Sequence, residues 1–115
     1  MGSKLNELHC KPIGRGSGVL LGAEITALLA QLDPAWRVRS GPELARVFVS
    51  SDYPLLVDLA AKIGALAQAE DHHPELRLAW GRLEISVSTH SIGALSMNDF
   101  VLAAWIDGIA RGAGL

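Results

Sequence analysis

The chain has 115 residues, enough for one domain with a single modest core. Half of it is hydrophobic and the mean hydropathy is +0.28, too apolar for disorder, yet no uncharged apolar run approaches the roughly 18 residues of a membrane span. A formal net charge of -2, from 10 Lys+Arg and 12 Asp+Glu without a block of one sign, leaves no basic footprint for nucleic acid.

Residues 1–20 read as an N-terminal arm and 21–115 as a single domain. In the arm, Pro12, Gly14, Gly16 and Gly18 interrupt any regular pattern. The lone cysteine, Cys10, excludes an internal disulfide and suits a reducing cytoplasm. The first residues lack the apolar core of a signal peptide.

From Leu21 the pattern turns helical, with Leu21, Ile25, Leu28, Leu29 and Leu32 on one stripe, and Pro34 stops it. Trp36–Arg39 and Leu44–Val49 predict two strands joined by a turn at Ser40-Gly41-Pro42. Ser51 or Asp52 can cap a helix that carries Pro54 in its first turn and ends near Glu70. Leu55, Leu59, Ile63 and Leu66 are its expected inner face. Pro74 closes that segment and pushes His73 toward extended backbone.

Leu76–Trp80 and Arg82–His90 predict two more strands about Gly81. The second alternates strictly, with Leu83, Ile85, Val87 and Thr89 on one face. Ser96 and Asp99 have the spacing of a capping box. They open a last helix to about Ala110, striped by Leu102, Trp105, Ile106 and Ile109. The order α-β-β-α-β-β-α, with tightly joined strand pairs, predicts an α+β fold. A four-stranded antiparallel sheet would carry three helices on one face.

Chemistry points to histidine. His9 lies in the arm without an evident partner, whereas His72 and His73 sit at a helix end and His90 at a strand end, where active sites are usually built. An imidazole titrates near neutrality and suits acid–base work. Glu70, Asp71 and Glu75 are near enough in sequence to orient one. The other reading of the spacing is structural, a His pair capping a helix end with His90 solvated. A metal site is disfavoured, because adjacent histidines in a loop lack the i, i+4 geometry of helical zinc sites. Gly14, Gly16 and Gly18 follow no predicted strand and precede no Lys-Ser/Thr pair, so they are not a phosphate loop. Cys10 in an arm is not taken as a nucleophile.

The run Glu70-Asp71-His72-His73-Pro74-Glu75, then Trp80-Gly81, Thr89-His90, Leu95 and Asn98-Asp99-Phe100, resembles the pterin-4a-carbinolamine dehydratase family. Trp36, Phe48, Asp52 and Tyr53 fall on that family's upstream landmarks. Cys10-Lys11-Pro12 and Glu24-Ile25 look like the arm and first helix of its bacterial members. The likeness spans roughly residues 10–110.

It implies dehydration of a 4a-hydroxytetrahydropterin to a quinonoid dihydropterin, without metal or cofactor, by a homodimer or homotetramer. His72 and His90 would be the acid–base pair. His73, Asp71, Trp36 and Asp99 would serve substrate binding. The departures are Gln68 where the family has a carboxylate, Ala94 where it has glycine, and Ser50 where it has an aromatic residue. They fit the alternative implied by the same likeness, a protein-binding relative. Such relatives include an assembly factor for ribulose-bisphosphate carboxylase and a dimerisation cofactor of a transcription factor.

Overall fold

A computed structural model describes residues 5–13 and 18–115; Gly14 and Gly16 lie outside them. A 3-10 turn, Leu5–Glu7, precedes α1 (Gly22–Leu29), β1 (Arg37–Arg39), β2 (Glu43–Val49), α2 (Tyr53–Glu70), β3 (Glu75–Ala79) and β4 (Arg82–Val87). A second 3-10 turn, His90–Ile92, leads into α3 (Met97–Gly112). The strands form one antiparallel sheet in the order β1-β2-β4-β3. Fold class and element order match the expectation.

Period-2 alternation decides which side of the sheet is covered. Leu44 pairs with Val87 and Phe48 with Leu83, and these residues, with Ile85, are buried. Helix α2 lays Leu56, Leu59, Ile63 and Ala67 on that face, and α3 adds Phe100, Leu102 and Ile106. Ile25, Leu28 and Leu29 of α1 pack at the margin of this core. The other face carries ions. Arg39 Nη1 donates to Glu84 Oε2 at 2.6 Å, and Arg77 Nε to Glu75 Oε1 at 2.6 Å.

Local signals fix the ends of α2. The Asp52 side chain accepts from Leu55 N–H at 3.1 Å, with Pro54 in the first turn. At the other end Asp71 takes the left-handed conformation, φ 51°, which Asp tolerates better than most residues. His72 N–H then returns to Ala67 O at 3.2 Å. This reversal points the chain back across the start of α3. Gly81, at φ 86°, allows the tight β3–β4 turn.

Several details differ from the sequence reading; Leu21, expected on the inner stripe of the first helix, is exposed just ahead of α1. The inner stripe of α2 runs through Leu56 and Ala67, while Leu55 and Leu66 are only half-buried. Strand β4 ends at Val87 instead of His90, because Thr89 leaves the ladder to bridge Ala94 and to reach a buried carboxylate. The arm is not featureless: Leu5 is buried against α3, which burial makes favourable for any large apolar residue. That cover is why α3 is buried on nearly every side.

Buried polar groups on this core are largely paired, as their desolvation requires, with Arg46 Nε the exception among the described residues. Asp107 accepts from Trp36 Nε1 at 2.7 Å and Asp33 N–H at 2.9 Å, and it faces the Arg46 guanidinium. Arg46 also lies over the Phe48 ring, 4.2 Å from its centroid.

Candidate active site

The site starts from a buried acid. Asp99, in the first turn of α3, is fully buried. Its Oδ2 accepts from Ser96 N–H at 2.8 Å, the return bond of the capping box, and from Thr89 Oγ1 at 2.9 Å. Thr89 has one hydroxyl proton and spends it on Asp99, so the 2.7 Å contact between Thr89 Oγ1 and Ser96 Oγ is donated by Ser96. Asp99 Oδ1 receives His72 Nε2 at 2.6 Å.

An ionised carboxylate only accepts, so Nε2 of His72 carries the proton in this contact. In the neutral ring that leaves Nδ1 as the nitrogen with a lone pair. Among the described residues Nδ1 has no hydrogen-bond partner. His72 lines a cleft of about 250 Å³ together with Asp71, Thr89, Ser91, Asn98, Glu70 and the arm residues Cys10–Ile13.

The other two histidines open elsewhere. His73 and His90 line a separate hollow of about 50 Å³ with Glu43, Glu75, Ser86, Val87 and Ser88. The three histidines therefore line two hollows and not one. Their walls come from sequence neighbours, His72 and His73 on one crossing of the chain, Thr89 and His90 on the other. His73 is exposed and its Nε2 lies 3.0 Å from Gln68 Oε1, so an uncharged amide holds that imidazole. His90 is exposed at the start of its 3-10 turn.

Of the remaining candidates, Asp71 is exposed and lines the His72 cleft. Asp99 is sealed from solvent and reaches a ligand only through His72. Trp36 does not join them: it is buried in the core with its indole N–H on Asp107.

Sequence reading missed the second function of the α2 terminus. Glu70 does orient an imidazole, but that of His9, through a 2.9 Å contact to Nδ1, and its other oxygen accepts Cys10 N–H at 2.8 Å. Burial pushes the Glu70 carboxyl up, yet the Cys10 amide and His9 outweigh it and hold the group below the usual carboxylate range. Cys10 is half-buried, its thiol 3.5 Å from Asn98 O. Burial, then the nearby charges of Glu70 and Asp99, push its thiol up to about 12. No cluster of metal-ligating side chains occurs among the described residues, and no helix is long and apolar enough to cross a membrane.

The family profile described as pterin 4 alpha carbinolamine dehydratase matches residues 19–109. A Rubrobacter xylanophilus protein, provisionally named a pterin-4-alpha-carbinolamine dehydratase, is 39% identical over 105 residues, 91% of this chain and 97% of its own. A Gloeobacter violaceus protein with the same provisional name is 39% identical over 113 residues, 96% and 97% of the two chains. The crystal structure of a Brucella melitensis transcriptional coactivator/pterin dehydratase superposes with a TM-score of 0.75 at 28% identity, covering 80% of this chain and 98% of that one.

Proposed function

Since the chain belongs to the pterin 4 alpha carbinolamine dehydratase family, we propose that it is a hydro-lyase that dehydrates a 4a-hydroxytetrahydropterin to the quinonoid dihydropterin. The observation that carries this reading is the His72–Asp99 pair at 2.6 Å. The buried carboxylate fixes one tautomer, which leaves the lone pair of a base on the opposite ring nitrogen. In the reaction the C4a–O bond breaks and the neighbouring ring N–H loses its proton. The departing hydroxyl takes up a proton and leaves as water. His72 and the exposed His90 supply the base and the acid. The pterin lies across the ridge between the two hollows, with His73 and Asp71 as its polar contacts. No metal and no cofactor enter the proposed chemistry.

A second reading is favoured by particular observations. Gln68 stands where the family has a carboxylate, and Trp80 and Val49 are each 76% exposed. The Brucella relative is described as a transcriptional coactivator as well as a pterin dehydratase. A protein-binding factor, whether a carboxylase assembly factor or a dimerisation cofactor, would use such a surface. That apolar surface also supports a homo-oligomer, dimer or tetramer, in the cytoplasm, where a lone thiol stays reduced. Light scattering at micromolar concentration should return a mass above that of one chain.

A dehydration assay tests the primary reading. His72→Ala and His90→Ala should each slow turnover about 100- to 10,000-fold, while Lys62→Ala, on the exposed side of α2, changes nothing. Gln68→Glu should raise the rate, since a carboxylate at 3.0 Å favours the His73 imidazolium. If wild type and Gln68→Glu both run at the uncatalysed rate, the enzymatic reading fails and the binding-factor reading replaces it.

A further inference from the structure

The arm falls outside the stretch matched by the family profile, yet it forms part of the candidate site. Cys10, Lys11, Pro12 and Ile13 line the same cleft as His72. They are fastened there at successive points. Glu70 takes Cys10 N–H on one oxygen and His9 on the other. Asn98 treats Lys11 as a neighbouring strand would: Lys11 N–H donates to Asn98 Oδ1 at 2.9 Å, and Asn98 Nδ2 donates to Lys11 O at 2.6 Å. Trp105 Nε1 donates to Leu8 O at 2.9 Å, and the buried Leu5 anchors the start.

Glu70 and Asn98 are themselves largely withdrawn from water, which is costly unless each is hydrogen-bonded. The arm supplies those bonds. The two clamps also stand beside the site in sequence. Glu70 lies two residues before His72, and Asn98 immediately precedes Asp99. The helix ends that aim the imidazole therefore also hold the wall.

We propose that residues 10–13 are a working wall of the His72 cleft, and that Glu70 and Asn98 are positioning residues whose hold on the arm sets how tightly the cleft binds its ligand. That the ligand is a pterin rests on the functional reading above.

Cys10 gives a direct gauge, being the chain's one thiol. In Glu70→Ala, iodoacetamide should alkylate it about tenfold faster than in wild type, the scale of one lost charge-assisted hydrogen bond. An unchanged rate overturns the clamp. In wild type, saturating 7,8-dihydropterin should slow the alkylation, and its Kd by calorimetry should rise about tenfold in Glu70→Ala. KM for the carbinolamine should rise by a larger factor than kcat falls. A dihydropterin that binds without protecting Cys10, or an affinity unchanged in a variant whose arm is freed, overturns the wall.

If thermal melting finds Glu70→Ala unfolded, Trp105→Phe, which removes the indole N–H that bonds Leu8 O and trims the ring beside His9, replaces it with the same expected directions. A wild type that neither binds dihydropterin nor dehydrates the carbinolamine sinks the functional reading and the pterin part of this one. The alkylation comparison, made without ligand, still decides the clamp.

Discussion

Asp99 is the residue on which most of the site's polar contacts converge. It takes donors from His72, Thr89 and Ser96 and offers none. Asp99→Asn is nearly isosteric but cannot reproduce this. If its carbonyl faces His72, its NH2 meets the Ser96 amide, donor against donor, and forces the Thr89 hydroxyl to turn and accept. If it flips, the NH2 meets His72 Nε2–H and that imidazole must change tautomer. Leaving a buried donor unmatched costs about 1–3 kcal/mol. Asp99→Asn should therefore lower the melting temperature and, with His72 misheld, depress kcat more than KM; denaturant melts and steady-state kinetics check the two effects. Sequence reading recognised Asp99 through its capping-box spacing to Ser96. It could not show that the same carboxylate holds an imidazole 27 residues away, because that contact depends on the left-handed turn at Asp71.

At the scale of elements, the strongest sequence signals were the ones that end things. Pro54, Pro74 and Gly81 mark boundaries by backbone geometry and Asp52 by its side-chain cap, and α2 and the β3–β4 turn lie within one or two residues of where those signals put them. Asp52→Ala removes the side-chain acceptor of Leu55 N–H. It should cost about 1 kcal/mol of stability, read as a shift of the urea midpoint at constant slope, with no change in the chemistry of His72. Elements whose form depends on distant partners were less legible. Strand β4 looked longer because Thr89 keeps the alternation, but its hydroxyl is diverted to Asp99. The arm showed only breakers in sequence, and its order comes from α3, Glu70 and Asn98. Likewise the three histidines were found by their positions at element ends. Their division between two hollows depends on which side of the sheet-to-helix crossing each faces, and spacing does not encode that.

For the whole molecule, the arm links stability to pH on both sides. Glu70 is held below its ordinary value of 4.5, so its contribution is present above that value and fades as pH falls through the lower, folded one. Cys10 is the opposite case. Its ordinary value is 9.0 and its folded value about 12, so the neutral thiol's contribution is complete below about pH 9 and is lost as pH rises toward 12. Wild type should therefore lose stability across that alkaline window more steeply than Cys10→Ser, which has no thiol to ionise. Chemical melts between pH 8 and pH 11 check this; parallel slopes would mean that the arm leaves Cys10 free to ionise.

The three tryptophans occupy three unlike surroundings, with an optical consequence. Trp36 is enclosed, Trp80 stands in solvent at the hairpin, and Trp105 is half-buried with its ring 5.7 Å from that of His9. Blue, red and intermediate emission should therefore come from separable sites. The His9 ring is the near neighbour that perturbs this indole, so the Trp105 component should change whenever His9 swings away. The chain thus carries its own fluorescent reporter of whether the arm is seated, beside the cleft and without an added label.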